Sequence, residues 1–414
     1  MKPRHFIIWG INYSPELTGI APYNAALCDH LHSRSHKVQM VSSFCYYPEW
    51  RKLPEDQRRL YRTDVVRGVE VHRCWHYVPA KPSTLKRIIH ELSFVVSSFL
   101  RVMTLPRPDI YVVVSPPLLL GFAAWLASRL KRAPFVFHVQ DLQPDAAVTL
   151  GMIKPGLLLR SLYGLESFTY HHAAIVSGII PGMTRAFVQK GVPPERTLLF
   201  PNGIELPAAG SLPPAGNFRR RFGIAEDEFL GVYSGNLGVK HGVEILLTAA
   251  ASLRGKRIRT VICGDGARRE LLNARAREEG LTNVLFLPLQ PEAEYMEMMV
   301  DADAYFVTQQ TGSGALFFPS KLLKGLALSK AIIIVADEQS ELTAAAAEGR
   351  FAVVVHPDQP AGLARCQERL AADREQRLTL GMNGRKYVER FELKRLLLTF
   401  ESDLCASLDR TGSP

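Results

Sequence analysis

Apolar positions along this chain follow two periods, and the two take turns. Short runs rich in β-branched and aromatic residues read as strands: 6–9 (FIIW), 36–44, 65–75, 110–115 (IYVVVS), 134–139 and 174–178. Between them lie stretches with apolar residues at helical spacing. These are 21–31, where Ala25, Ala26, Leu27 and Leu31 share a face, then 85–103, 118–130, 157–173 and 184–190. A Pro/Gly/Ala-rich stretch at 207–217 interrupts the pattern. After it the alternation restarts, with strands at 229–234, 259–264, 284–287, 304–307 and 331–335 and helices at 242–253, 268–280, 293–300 and 320–328. Two alternating blocks joined by a linker predict an α/β protein of two doubly wound, Rossmann-like parallel-sheet domains facing across a cleft. The expected limits are 1–206 for the first domain, 207–217 for the linker and 218–390 for the second. Ligands of such sheets sit outside the carboxyl ends of the strands, in that cleft.

Composition adjusts this picture at three points. With 47% hydrophobic and 22% charged residues the chain is an ordinary globular protein rather than a disordered one. Its six cysteines are scattered without a CxxC pair, which argues against a zinc site and fits a reducing compartment. The first apolar run is too short for a signal peptide and reads as a strand. Residues 110–127 carry no charge over a length at the lower edge of a membrane span, but Pro116 and Pro117 break the stretch into a strand and a buried helix.

Charge is uneven. Residues 1–205 hold 24 Lys+Arg against 14 Asp+Glu, while residues 206–414 hold 26 of each. A cationic first half calls for an anionic partner. Segment 85–103 (LKRIIHELSFVVSSFLRVM) admits two readings. It is either a buried helix or a helix lying at a membrane interface with Lys81, Lys86, Arg87 and Arg101 near headgroups. Nucleic acid is disfavoured as the partner, because basic and aromatic residues do not interleave as a stacking platform requires.

Candidate chemistry lies in the loops that follow strands. The first, YSPELTGIAPYNAAL (13–27), joins a strand to a helix through Gly19. In SGNLGVKHG (234–242), Gly235 and Asn236 precede Lys240, whose ammonium can meet a phosphate. In CGDGARREL (263–271), Gly264 and Gly266 flank Asp265. In TGSGALFFPSKLLKGLA (311–327), Gly312, Ser313 and Gly314 lead to Ser320, a natural N-cap, and to Lys321 in the first turn. A lysine there opposes the helix dipole, which an anion in the same site would relieve. Three such loops on one edge of one domain point to a nucleotide.

These stretches, together with HVQDLQPDAAV, PNGIE and FPSKLLKGLALSKAII, resemble the family 4 glycosyltransferases of GT-B fold, and within them the bacterial exopolysaccharide type that includes colanic-acid fucosyltransferases. The likeness spans the chain in order. It implies that 391–414 is a closing helix that returns to the first domain. It implies that Gly19 lies beside the donor diphosphate and the acceptor, that Lys240 with Gly235 and Asn236 holds the diphosphate, and that Gly264, Asp265 and Gly266 lie near the nucleoside. It places Gly312, Ser313, Gly314, Ser320 and Lys321 around the donor sugar, and His138 or Asp141 near the reacting carbon. One departure stands out: the two glutamates usual in this family fall on Leu316 and Lys324, and an ammonium cannot accept a hydrogen bond from ribose.

The implied activity is retaining transfer from a nucleotide-diphosphate sugar such as GDP-fucose, with neither a metal nor a cofactor, to a lipid-linked saccharide. The implied setting is cytoplasmic and peripheral, on the anionic inner face of the cell membrane. Two other classes stay open: a nucleotide-sugar epimerase of the same fold, and an inactive membrane-associated partner of an assembly complex.

Overall fold

The computed structural model describes residues 2–16, 19–47, 49–81, 83–149, 156–208, 210–312 and 321–410. They form two compact units. Unit 1 runs to Asn202 and takes up the chain again from Lys394, and unit 2 is Gly203–Leu393.

Unit 1 contains β1 (His5–Trp9), α1 (Ala21–Ser33), β2 (Lys37–Ser43), β3 (Tyr61–Val66), β4 (Val69–Cys74), α2 (Thr84–Thr104), β5 (Ile110–Ser115), α3 (Leu120–Lys131) and β6 (Phe135–Val139). It continues with α4 (Gln143–Thr149), α5 (Leu157–His172), β7 (Ile175–Gly178), α6 (Pro181–Gln189) and β8 (Thr197–Leu199). The strands form one sheet in the order β3-β4-β2-β1-β5-β6-β7-β8, parallel except for β3. Helices on both faces bury β5 and β6 throughout and β1 from Phe6 onward, which is why these strands read as apolar runs. The order reverses at β1, so the loop 10–20 lies at the switch point where ligands of such sheets bind.

One expected strand, 65–75, is a hairpin instead. Arg67 and Gly68 both take positive φ, 49° and 84°, the geometry of a tight type I′ turn. It folds edge strand β3 back on β4, and no glycine-poor apolar run announces it.

Helix α2 is not buried all round. His90, Phe94, Val95, Ser98 and Val102 face the unit's interior, while Leu85, Ile88, Ile89, Leu92, Val96 and Leu100 stand 45–67% exposed along the opposite side. Among the described residues, no helix is long and apolar enough to cross a membrane.

Unit 2 contains α7 (Asn217–Phe222), β9 (Phe229–Ser234), α8 (Glu244–Ser252), β10 (Ile258–Cys263), α9 (Arg269–Glu278), β11 (Val284–Leu287), α10 (Glu292–Asp301), β12 (Ala304–Thr308) and α11 (Lys321–Ala327). After these come β13 (Ala331–Val335), α12 (Glu341–Gly349), β14 (Ala352–Val355), α13 (Pro360–Ala372) and α14 (Arg374–Val388). The sheet is wholly parallel, in the order β11-β10-β9-β12-β13-β14. Its switch point lies between β9 and β12.

The last helix, α15 (Leu393–Arg410), belongs to unit 1. Its fully buried Glu401 meets His30 at 2.8 Å, His36 at 3.1 Å and Arg34 at 3.2 Å. Phe400 beside it stacks on Phe200 with centroids 3.9 Å apart.

Candidate functional site

In unit 2 the loops after β9, β10 and β12 meet at the switch point. The loop after β9 runs backbone to backbone with the loop after β10: Leu237 N–H donates to Asp265 C=O at 2.8 Å, and Gly235 N–H to Cys263 C=O at 3.0 Å. A Cβ on Gly264 would fall 1.9 Å from the Gly235 carbonyl oxygen. Glycine is therefore demanded at 264 by the neighbouring loop, whatever ligand is bound. The Asp265 carboxylate turns back to accept from the Gly266 N–H at 2.8 Å and is exposed, as is Asn236.

Against this floor stands Lys321, the first described residue of α11. Its Nζ lies 3.7 Å from the centre of the Tyr233 ring, and a Cβ on Gly235 would come within 3.5 Å of it. That nitrogen is shut off from solvent and has no hydrogen-bond partner among the described residues. Burial, reinforced by the Lys240 charge, pushes its pKa down to about 7. Lys240 sits on the short 3₁₀ turn Val239–His241, tied down where Gln310 N–H donates to its carbonyl at 3.0 Å. The same two lysines, after burial itself, hold the buried His241 imidazole down at about 3, so it stays neutral. Lys321 thus lies beside a glycine, with the Lys240 charge acting on it and no carboxylate among the causes of its shift. Such a site is built for an anion of more than one charge.

The loop after β12 is anchored where Gly312, at φ 80°, donates its N–H to the Asp337 carboxylate at 2.6 Å. Asp337 carries little local signal in the sequence, where it is one of two adjacent acids, Asp337 and Glu338, just after β13. Ser313, Gly314, Leu316 and Ser320 lie outside the described residues.

Lys324 is not presented as an open donor contact. Its ammonium is 3.1 Å from the Glu292 carboxylate of α10 and 4.7 Å from the centre of the Tyr295 ring.

In unit 1, Gly19 takes φ 66° just before α1, and an added Cβ would meet nothing within 4 Å, so its backbone faces open space. Asp141 is exposed at the carboxyl end of β6. His138, by contrast, is buried. It points into the core, where burial holds it at about 3. Gln140 and Asn202 exchange amide hydrogen bonds at 2.9 and 3.1 Å, which orients the Gln140 amide to donate to His138 Nε2 at 2.9 Å. The imidazole therefore carries its proton on Nδ1, 2.9 Å from Ser177 Oγ. Both nitrogens thus have partners inside the protein, and His138 braces the β6 edge. The pair also ties the PNG turn to the HVQD segment.

Comparison with known proteins decides the family. Residues 18–203 match the glycosyl transferase 4-like domain, and residues 215–387 match the glycosyl transferases group 1 domain. The putative colanic acid biosynthesis glycosyl transferase WcaI of Escherichia coli K12 is 33% identical over 343 residues, 81% of this chain and 84% of that protein. The chain belongs to the family 4 glycosyltransferases. Solved structures place this family 4 glycosyltransferase in the GT-B fold. Sucrose-phosphate synthase from Thermosynechococcus elongatus superposes with a TM-score of 0.76 at 17% identity, covering 98% of this chain and 99% of that one. Anabaena HepE in complex with UDP-glucose gives 0.69 at 16% identity, covering 97% and 100%. In this family 4 glycosyltransferase the switch-point loops of unit 2 belong to the group 1 region, and Gly19 and Asp141 to the 4-like region.

Proposed function

We propose that this family 4 glycosyltransferase takes a sugar from a nucleoside-diphosphate donor and passes it, with retention at the anomeric carbon and without a metal ion, to a lipid-linked saccharide in exopolysaccharide synthesis. The protein works as a peripheral enzyme on the inner face of the cell membrane. The observation that carries the donor half is the Lys240–Lys321 pair beside Gly235. As the bond from the anomeric carbon to the diphosphate breaks, charge gathers on the leaving oxygens. Lys321, whose nitrogen is shut off from solvent, and Lys240 stabilise that charge, so the chain's own residues supply what a divalent cation would. The acceptor hydroxyl forms the new bond to the same carbon and gives its proton to the departing phosphate. Asp141, exposed at its strand end, orients a hydroxyl of one of the two sugars. Asp265 and the Gly264–Gly266 turn take the nucleoside, and the Gly312 loop the donor sugar.

Thermal shift with GDP, UDP, ADP and TDP, each with and without Mg²⁺, tests the donor site. HepE was solved with UDP-glucose, and GDP-fucose is the first intact donor to assay for the exopolysaccharide reading. One nucleotide is expected to stabilise the protein in the absence of metal, by about 2.7 kcal/mol at a hundredfold over its Kd. Lys240→Ala is expected to remove that effect and to lower the transfer rate on the order of 10²–10³-fold. If no nucleotide stabilises the wild type, the pair at Lys324 and Glu292 has replaced a working nucleoside contact. The protein is then an inactive partner of the assembly machinery.

A further inference from the structure

A second polar site lies wholly within unit 1, at the carboxyl ends of β2 and β4. The segment after β2 brings Tyr46 and Trp50, the segment after β4 brings Trp75 and His76, and α2 brings Arg87 and His90. Ring centroids are 4.9 Å apart for Tyr46 and His76, 4.7 Å for Tyr46 and His90, 5.3 Å for Trp50 and His90, and 5.0 Å for the two histidines. Tyr46, His76 and His90 form a buried floor, and the two tryptophans stand half-exposed above it. Each indole carries a cation on its face, Arg87 at 5.5 Å over Trp50 and Lys52 at 5.0 Å over Trp75.

Three features are hard to explain if this cluster only fills space. His76 is completely buried, yet its ring nitrogens meet no side chain among the described residues, and only the Cys74 backbone acts on them. Trp50 holds a backbone φ of 53°, a left-handed conformation that a bulky residue rarely adopts and that clusters at binding sites. The two cations make no ion pair among the described residues. Burial lowers the His90 pKa, and Lys52 and Arg87 push it the same way, so both cations act on one point. Lys52 is itself pushed down to about 8 by its half-burial.

Unpaired cations on indole faces recognise an anion joined to a group with an apolar C–H face, such as a sugar phosphate. Two connections say more about that ligand. The Glu16 carboxylate accepts from the N–H groups of Tyr46 and Tyr47 at 2.9 and 3.0 Å, so the site is fastened to the 13–19 loop at the sheet's switch point. Arg87 and His90 also share α2 with the exposed Leu85, Ile88, Ile89 and Leu92, so a hydrocarbon chain could run from the anion along that side.

We infer that this site holds the phosphate-bearing head of the lipid-linked acceptor. Its diphosphate lies on Arg87 and Lys52, its first sugar against Trp50 and its chain along the apolar side of α2. The inference rests on the glycosyltransferase reading for calling the ligand an acceptor. The site itself, for a lipid diphosphate, does not depend on the donor.

All four tryptophans (Trp9, Trp50, Trp75 and Trp125) lie in unit 1, so indole emission reports on this unit. Titrating the full-length protein with farnesyl diphosphate should give a saturable change in emission, and inorganic pyrophosphate a weaker one. The Lys52→Gln/Arg87→Gln pair should weaken binding at least tenfold, Arg87→Lys should restore most of the loss at that position, and Trp50→Phe should remove most of the amplitude. Lys240→Ala should leave the response intact. Melting temperatures of the variants check that the fold survives. The inference is overturned by a flat response to both probes, by a response that survives the double substitution, or by one that Lys240→Ala abolishes. A response to phosphatidylglycerol vesicles alone makes this a phospholipid contact and removes the acceptor assignment. Success here with no nucleotide shift in the donor panel sinks the donor reading and leaves this one standing.

Discussion

Lys321 is an ammonium shut away from water beside a second ammonium, and in the empty site it works against folding. Its pKa of about 7 lies well below the ordinary lysine value of about 10.4. Between those two values the folded protein binds fewer protons than the unfolded chain, so stability rises with pH through that window, and the penalty is fully present below pH 7. Lys321→Met should raise the melting temperature of the ligand-free protein at neutral pH by a few degrees, flatten that slope and abolish nucleotide binding, all readable by calorimetry. A docked diphosphate favours the charged form and raises the pKa. Above pH 7 binding should therefore take up a proton, and affinity should fall by up to about tenfold per pH unit. Titrations in buffers of different ionisation enthalpy measure that uptake, and Lys321→Arg should remove it. Both lysines were legible in the sequence because strand, glycine and cation are neighbours in the chain. His138 was not, since what fixes it is an amide pair between residues 62 positions apart. The same holds for Lys324 and Glu292, 32 positions apart.

Among the elements, α15 shows how one buried charge can hold a helix in place. Burial alone would raise the Glu401 carboxyl, but hydrogen bonds from His36 and His30 and the Arg34 charge outweigh it and hold the group below its usual range. Its stabilising contribution is therefore full above the ordinary glutamate value and is lost as pH falls through the lower folded one. Glu401→Ala should destabilise unit 1 on the order of 3 kcal/mol in urea unfolding followed by tryptophan emission. Glu401→Gln should soften the acid limb. Long helices such as α2 and α5 could be read from pattern, whereas α15 was expected only from the family resemblance. The hairpin of β3 and β4 could not, because its turn sits inside a run that looks like one strand. Nor could α12, β14, α13 and α14: four alanines, a four-residue strand and strongly charged helix faces give no clear period.

On the scale of the molecule, the positive excess belongs to one unit. Helix α15 joins unit 1 without changing the balance, since its three acids offset its three bases. Arg51, Arg58, Arg59, Lys81 and Lys86 are exposed in the same unit as the apolar side of α2. The protein should float with anionic vesicles and not with neutral ones, and high salt should release it. Ile88→Glu with Leu92→Glu should abolish flotation without lowering nucleotide affinity. The two-block alternation behind the fold was legible as far as β13, whereas strand order depends on contacts between distant segments. The return of the chain to its first unit has a consequence for synthesis. The chain leaves unit 1 at Asn202 and rejoins it only at Lys394. A ribosome adding 5–20 residues per second completes the intervening stretch in roughly 10–40 s. For that interval the nascent first unit lacks the carboxylate that gathers His30, Arg34 and His36, and the ring that covers Phe200. The last unit to be translated can thus finish folding first, and the first must wait for its own C-terminal helix.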